Sequence, residues 1–288
     1  MDRETRPGVV VALLAVPLTA LVVLFVAPLS FMAVYSFWAI DNSYQLQRTF
    51  QLTQYEQVFT TGPYLAMLGR SAWLAALTTL ASLAIALPLA YAIARLVPPR
   101  YRVLLLIALI IPGWVSVLIR TYAWTLVIGE SGLLNYLLIH AGLIEKPLQI
   151  LFTKTAVVMG LVYIYLPYML VPIYAALERL DPALLEAAEN LGAGPVERFV
   201  KVTLPLIAPG IVAGSIITFI PAAGEYLVPN LLGGLSGTMY GNLITAAFEN
   251  FNWPLGSALS MTLLASLLIT LAVMGRFVDV KRLFSGAS

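Results

Sequence analysis

Residues 180–209 read LDPALLEAAENLGAGPVERFVKVTLPLIAP and contain the densest group of charges in an otherwise apolar chain. Only 10% of the 288 residues are charged. Eight of these charges nevertheless fall within the 24 residues from 178 to 201: Glu178, Arg179, Asp181, Glu186, Glu189, Glu197, Arg198 and Lys201. A polar loop between apolar segments is typical of a surface that contacts another molecule.

The stretch predicts two short helices joined by a glycine turn. Asp181 suits the N-cap, because its carboxylate can accept from free amides of the first turn, and Pro182 fits the first helical position. Gly192 and Gly194 allow the positive φ that ends a helix, and Pro195 then opens the second one. The first helix has an apolar face formed at i, i+4 and i+7 by Leu184, Ala188 and Leu191. Such a helical pair is suited to a groove on a partner.

The overall composition indicates an integral membrane protein. Hydrophobic residues make up 60% of the chain and the mean hydropathy is +0.92, whereas soluble domains carry about 25% charged residues. The absence of cysteine and the single histidine, His140, exclude disulfides and leave too little material for a metal site. The net charge of +2 gives no indication of nucleic-acid binding. Because no GxxxxGKS or GxxxxGKT motif occurs, any ATP hydrolysis has to come from another polypeptide.

Apolar stretches long enough to cross a bilayer, which takes about 20 residues, predict an all-α membrane protein. We expect a single transmembrane domain over residues 1–288 with six spans, at 9–33, 71–94, 103–128, 155–177, 204–223 and 255–275, and a cytoplasmic loop at 178–203. The first span is too long for the apolar region of a signal peptide and is expected to remain as an anchor. Interior prolines such as Pro88, Pro112 and Pro167 predict kinks. Residues 50–59, FQLTQYEQVF, predict a short helix on the outer side.

The distribution of lysine and arginine predicts the orientation. If the N-terminus is inside, four basic residues lie on the outer side, namely Arg48, Arg70, Lys146 and Lys154. Eleven lie on the inner side: Arg3, Arg6, Arg95, Arg100, Arg102, Arg179, Arg198, Lys201, Arg276, Lys281 and Arg282. We therefore expect both termini and the charged loop in the cytoplasm, in a multi-pass protein of a bacterial cytoplasmic (inner) membrane.

The charged loop resembles the EAA signature of membrane permeases of bacterial ABC importers. Three residues separate its EAA triplet from a glycine, and nine more precede a Val202-x-Leu-Pro segment. Val202, in place of isoleucine, is the one departure from the signature and removes a single methylene. The matching residues are Glu186, Ala187, Ala188, Gly192, Leu204 and Pro205.

This resemblance implies a type I ABC importer permease with the MetI-like fold. In that family the loop is a coupling helix that sits in a cleft of a cytoplasmic ATPase and transmits its closing motion. Two ATPase subunits would bind the ATP, so the permease itself would hold no cofactor and perform no chemistry. A second homologous permease, forming a heterodimer, and a soluble substrate-binding protein on the outer side complete the implied assembly, which works by alternating access.

Other stretches are similar to permeases of the spermidine/putrescine branch of this family. Residues 118–124 read LIRTYAW and residues 132–137 read GLLNYL. Residues 219–226 read FIPAAGEY and are followed by LLGG at 231–234 and NWP at 252–254. The likeness extends from about residue 71 to 275 and implies a polyamine, spermidine or putrescine, as cargo. Tyr226, where phenylalanine is common, and Asn230, where an acid is common, depart from the pattern.

Two charges near the membrane are candidates for the substrate pathway. Arg120 lies within the third predicted span, where arginine costs about 2.5–3.5 kcal/mol on insertion scales. It therefore requires a partner or a wet cavity, or it reaches the outer surface by snorkelling. Glu225 ends the fifth span and either pairs with Arg120, contacts cargo, or does both in different states. Negative charge at Glu225 and Glu249, with the aromatic faces of Trp124, Tyr226 and Trp253, suits a cation.

Three alternatives to polyamine import follow from the same residues. The first is the same kind of importer subunit with another small solute as cargo, such as an iron complex, an opine or an amino-acid-like compound. A secondary transporter requires an ion-coupling carboxylate inside the bilayer, and a membrane enzyme requires clustered histidine or acids there. The predicted spans contain neither feature, which favours the importer.

Overall fold

The computed structural model describes residues 15, 17–41, 45–60 and 62–277, apart from the side chains of residues 274, 276 and 277, and is almost entirely helical. A short antiparallel hairpin, β1 (Ala39–Ile40) and β2 (Leu46–Gln47), follows the first helix. Residues 9–14 and 16 of the first predicted span, and the terminal basic residues Arg3, Arg6, Lys281 and Arg282, lie outside the described residues. The helices are α1 (Pro17–Tyr35), α2 (Thr53–Thr60), α3 (Pro63–Arg95), α4 (Pro99–Ile110), α5 (Val117–Ile128), α6 (Leu133–His140), α7 (Lys154–Glu178), α8 (Pro182–Asn190), α9 (Pro195–Arg198), α10 (Leu204–Ala223), α11 (Gly234–Gly237), α12 (Tyr240–Glu249) and α13 (Trp253–Phe277).

Five described helices are long and apolar enough to cross a membrane, and a sixth candidate is a bent pair. The five are Pro17–Tyr35, Pro63–Arg95, Lys154–Glu178, Pro195–Ala223 and Trp253–Val273. The number agrees with the six predicted spans when the bent pair, Pro99–Trp114 and Val117–His140, counts as one span. The short helix predicted at 50–59 is also present, as α2 (Thr53–Thr60), and its location on the outer side stays a prediction.

The third predicted span, 103–128, is not one straight helix. Its two parts meet at 94°, so the part that contains Arg120 does not continue in the direction of the part before it. The chain tightens into a 3₁₀ turn at Ile111–Trp114 and becomes extended at Val115 (φ −73°, ψ 140°). Pro112 has no amide hydrogen to continue the α-helical ladder and clashes with the preceding turn, which explains the break. The prolines Pro88 and Pro167, by contrast, lie inside continuous helices.

The chain divides into two compact units, of which the first comprises Met1–Leu65 and Leu243–Ala265. Within it, the hydroxyl of Tyr55 on α2 donates to the buried Ser36 Oγ (2.8 Å), and Phe37 stacks on Phe50 with ring centroids 4.4 Å apart. An apolar cavity of about 690 Å³ in this unit is lined mainly by Pro28, Phe31, Tyr35, Leu46, Phe248 and Trp253. A single domain over residues 1–288 remains a prediction.

The second unit comprises Ala66–Asn242 and Ser266–Ser288, and α7 is its central helix. α7 contributes buried side chains to two apolar clusters, one shared with α5 and the end of α10, the other with the second half of α3 and the start of α10. α7 and α10 approach closely because Gly210 and Gly214 of α10 face α7. A Cβ at Gly210 would lie 2.7 Å from the carbonyl oxygen of Pro172, and one at Gly214 would lie 2.9 Å from the sulfur of Met169. This GxxxG spacing is typical of tightly packed membrane helices.

Candidate functional site

The charged loop folds into the predicted pair of short helices, α8 and α9, called here the coupling hairpin (residues 181–203). The Asp181 carboxylate accepts from the amide of Ala183 (2.9 Å) and Pro182 opens α8, as predicted. Gly192 has φ +86°, which ends α8 and confirms that prediction. Gly194 does not adopt a positive φ: it is extended (φ −69°, ψ 169°) and caps α9, which begins at Pro195 as expected.

Ion pairs fix the hairpin internally while its apolar tip remains exposed. Arg198 of α9 reaches back to Glu189 of α8, and Lys201 pairs with Glu197, each at 2.5 Å. Leu191 and Val196 are 89% and 74% exposed. The tip of the hairpin therefore presents two apolar side chains that the rest of the described chain does not cover.

The signature residues divide between this exposed surface and the start of the membrane helix. Glu186 and Ala187 are exposed and Ala188 is half-buried. Among the described residues, Glu186 forms no ion pair. Leu204 and Pro205 form the first turn of α10, after a π-helical turn at Phe199–Thr203. Pro205 has no amide hydrogen to donate, and it follows directly after this π turn, through which α9 and α10 are continuous.

Arg120 lies in the first turn of α5 and faces α7. Its guanidinium carbon is 5.9 Å from the ring centroid of Tyr163, and Trp124, one turn later, meets the same ring edge-on at 5.7 Å. The Nε atom of Arg120 is buried and has no acceptor among the described residues. The side chain also lines a cavity of about 330 Å³ together with Trp114, Pro167 and Tyr168. Arg120 therefore lines a cavity and lies beside an aromatic ring. A role in the substrate pathway stays a prediction.

Glu225 organises the turn that follows α10. Its Oε2 accepts from the hydroxyl of the buried Tyr165 (2.8 Å), and its Oε1 accepts from the amides of Tyr226 (3.1 Å) and Leu227 (3.0 Å). Asn242 donates to the carbonyl of Tyr226 (2.8 Å). The carboxylate therefore acts as an N-cap for the turn at residues 227–233 and connects it to α7.

The pairing of Arg120 with Glu225, one of the alternatives above, is absent from this structure. The two residues contact different tyrosines of α7, Tyr163 and Tyr165 respectively. Because side chains advance about 100° per residue around an α-helix, neighbours two positions apart point in roughly opposite directions. Arg120 and Glu225 are therefore directed to different faces of the same helix.

The remaining pathway candidates are divided between the two compact units. Tyr226 is 47% exposed beside Glu225. Glu249 and Trp253 belong to the other unit, in which Glu249 is exposed and Trp253 packs against Phe248 at 5.3 Å. In the part of the chain that the structure describes, no group of histidines and acids is arranged to hold a metal ion.

Two functional contacts were missed by sequence reasoning, those of Tyr165 and Arg95. In the sequence, Tyr165 is one of several tyrosines of an apolar span, and Arg95 is one of the eleven basic residues predicted on the inner side. Their partners are 60 and more than 80 residues away in sequence, so no local pattern reveals them. The GxxxG spacing at Gly210 and Gly214 was a sequence signal for the α7–α10 contact.

Known proteins with similar sequences are permeases. The chain is 42% identical over 201 residues to the spermidine/putrescine transport system permease protein PotB of Escherichia coli (strain K12), covering 69% of this chain and 73% of that protein. It is also 42% identical over 209 residues to PotB of Haemophilus influenzae, covering 72% and 73% of the two chains. The inner membrane ABC transporter permease protein YdcU of Escherichia coli is 35% identical over 221 residues, covering 72% and 70%.

Solved structures confirm the fold. A chain in the crystal structure of a bacterial ABC transporter involved in the import of the acidic polysaccharide alginate superposes with a TM-score of 0.75 and 16% identity, covering 95% of this chain and 97% of that one. The same transporter type in complex with an alginate pentasaccharide-bound periplasmic protein gives a TM-score of 0.75 and 16% identity, covering 93% of each chain. This similarity establishes the all-α, MetI-like permease architecture.

The family model described as "binding-protein-dependent transport system inner membrane component" matches residues 7–280. With the exposed coupling hairpin and the identity to PotB over most of the chain, this match settles the class of protein. The chain belongs to that family of ABC importer permeases, as a multi-pass, non-enzymatic subunit of the inner membrane that works with a substrate-binding protein.

Proposed function

We propose that this permease forms half of the translocation pathway of an ATP-driven importer for polyamines, spermidine and putrescine, and works by alternating access. The exposed coupling hairpin is the observation that carries the proposal, because it offers a surface through which another subunit can move the membrane helices. The cargo is inferred from the two PotB proteins, spermidine/putrescine permeases that are 42% identical to this chain over 201 and 209 residues.

Two cytoplasmic ATPase subunits are the proposed partners of the hairpin and bind the ATP, so the permease needs no cofactor of its own. The exposed apolar tip at Leu191 and Val196 is suited to a hydrophobic cleft. The exposed Glu186, which has no ion pair within the described part of the chain, is suited to a basic residue of the ATPase. In this arrangement the hairpin and both termini lie in the cytoplasm, in agreement with the distribution of basic residues.

The chemistry of the proposed pathway suits a cation. Glu225 and Glu249 contribute negative charge, while Trp124, Tyr226 and Trp253 offer aromatic faces, each worth about 0.5–2 kcal/mol to a nearby ammonium group. Arg120 is proposed to line the pathway and to discourage a polyamine from resting beside it. A second homologous permease, in a heterodimer, contributes the other wall.

Reconstitution into proteoliposomes tests the proposal. The permease is assembled with its candidate ATPase, second permease and binding protein, and uptake of radiolabelled spermidine and putrescine is measured with and without ATP. We expect uptake that requires both ATP and the binding protein and that is abolished when the ATPase is omitted. Uptake without the ATPase would overturn the importer mechanism, whereas ATP-dependent uptake of an unrelated solute in preference to both polyamines would overturn the cargo.

A further inference from the structure

The C-terminal end of α3 contacts the chain at two places, at the end of α7 before the coupling hairpin and at the end of α9. Arg95, the final residue of α3, donates through its Nη2 atom to the carbonyl oxygens of Leu177 (3.2 Å) and Leu180 (3.1 Å). These carbonyls lie at the C-terminus of α7, immediately before the hairpin begins. The last carbonyls of a helix have no partner inside it and carry the negative end of its dipole, so a guanidinium is well suited to them.

Tyr91, one turn earlier on α3, contacts the other end of the hairpin. Its ring meets that of Phe199 edge-on, with centroids 5.8 Å apart and planes at 82°. Phe199 is the first residue of the π-helical turn that joins α9 to α10. Residues four apart on a helix share one face. From the same side of α3, Arg95 therefore contacts the segment that leads into the hairpin, and Tyr91 contacts the residue that leads out of α9.

The end of α3 that carries Tyr91 and Arg95 is packed in the core, but one hydrogen-bond donor of Arg95 has no acceptor in the described part of the chain. Ile93 and Ala94 of α3 are buried in the apolar cluster that also contains Leu177 of α7 and Ile207 of α10. The Nε atom of Arg95, by contrast, is buried without an acceptor among the described residues. A guanidinium with a spare donor can exchange partners when the carbonyls beside it move.

We propose that Tyr91 and Arg95, called here the α3 clamp, are positioning residues that hold the coupling hairpin at a fixed angle and make α3 follow its movement. The clamp connects the segment before the hairpin and the end of α9 to α3, a helix of 33 residues. Its role in transport rests on the proposed function, since it requires an ATPase that displaces the hairpin. Its role in holding the hairpin does not depend on that partner.

A distance measurement in the purified permease tests the clamp alone. The chain has no cysteine, so spin labels at Leu80→Cys on α3 and Leu191→Cys on the hairpin are unique, and both native side chains are exposed, at 63% and 89%. Double electron–electron resonance should give one narrow distance distribution. We expect Arg95→Gln to broaden it at least about twofold, because both hydrogen bonds to the end of α7 are lost, and Arg95→Lys to broaden it less.

The matched control is Arg100→Gln, which removes an inner positive charge without touching the hairpin, since Arg100 lies over its neighbour Tyr101 at 4.6 Å. It should leave the distribution unchanged. Tyr91→Leu, which keeps the apolar bulk and the guanidinium, provides a second variant if Arg95→Gln does not purify as a folded protein. The proposal is overturned if the folded clamp variants give the same distribution as Arg100→Gln.

A second measurement addresses coupling in the assembled transporter. The quantity compared is the ratio of ATPase activity with and without spermidine-loaded binding protein. We expect this ratio to fall at least about fivefold in Arg95→Gln and to stay unchanged in Arg100→Gln. Absence of stimulation in the unmodified assembly would refute the proposed function, and the distance measurement would still decide the clamp. A normal ratio in Arg95→Gln would overturn the role of the clamp in coupling.

Discussion

At the scale of single residues, Glu225 and Arg120 differ in how the fold satisfies their polar atoms. Glu225 accepts three hydrogen bonds, from Tyr165 and from the two amides that follow it. Arg120 instead faces the ring of Tyr163 and a cavity. Glu225 is thus held by the fold before any cargo arrives, and Arg120 is the group with unused donor capacity.

Removing the Glu225 carboxylate should destabilise the permease more than removing one of its donors. Glu225→Ala leaves the Tyr165 hydroxyl and two amides without their acceptor, a penalty of about 1–3 kcal/mol. Tyr165→Phe removes a single hydrogen bond, worth about 1 kcal/mol. Thermal melting of the detergent-solubilised protein measures both, with the exposed Glu249→Ala as control. Equal melting temperatures for Glu225→Ala and Glu249→Ala would show that the cap contributes nothing.

At the scale of elements, two helical features depend on glycines for different reasons. In the coupling hairpin, Gly192 supplies a left-handed residue (φ +86°). In α10, Gly210 and Gly214 have ordinary helical φ values. They matter because they lack a Cβ, which leaves space for α7. Substitution by alanine therefore tests backbone conformation in one case and packing in the other.

Gly192→Ala should weaken coupling, whereas Gly194→Ala should not. Neither position has an atom within 4 Å of an added Cβ, so the pair isolates the backbone conformation. A left-handed non-glycine residue costs about 1–2 kcal/mol, which favours a different end to α8 and moves the exposed tip. Co-purification of the ATPase with each variant is the measurement. Equal recovery from both variants would contradict a role for the positive φ.

Gly214→Ala should destabilise the contact between α7 and α10. Its Cβ would lie 2.9 Å from the Met169 sulfur and 3.0 Å from the Met169 carbonyl oxygen, and the backbone atom cannot move without shifting α7. Overpacking of this kind costs about 1–3 kcal/mol. Gly69→Ala on α3 is the control, because nothing lies within 4 Å of its Cβ and alanine is the better helix former. The melting temperature should fall for the first variant and hold or rise for the second.

At the scale of the whole molecule, the sequence predicted what depends on local rules. The Asp181 cap, the Pro182 start and the Gly192 turn follow from residues within a few positions of one another, and the apolar spans follow from their length. The bend at residues 111–116 was placed only as a kink at Pro112, because its size depends on how the two parts pack. The contacts of Arg95 and Glu225 were not predictable, since each joins segments that are far apart in sequence.

The predicted orientation places the two ends of α10 on opposite sides of the membrane. Its 20 residues span about 30 Å, the thickness of the hydrocarbon core. In the cysteine-free chain, Leu191→Cys and Leu235→Cys, which are 89% and 96% exposed in the native protein, give single labelling sites before and after this helix. A membrane-impermeant maleimide added to intact spheroplasts should modify the second cysteine and not the first. The reverse pattern would refute the orientation.

The π-helical turn at Phe199–Thr203 joins α9 and α10 without interruption, so a movement of α9 is transmitted directly to α10. From Pro195 to Ala223 the backbone forms a single rod of 29 residues, about 43 Å long at 1.5 Å per residue. A tilt of roughly 5° about the α9 end of this rod would move its other end about 4 Å sideways. A small rotation imposed on the coupling hairpin would therefore displace the far end of α10.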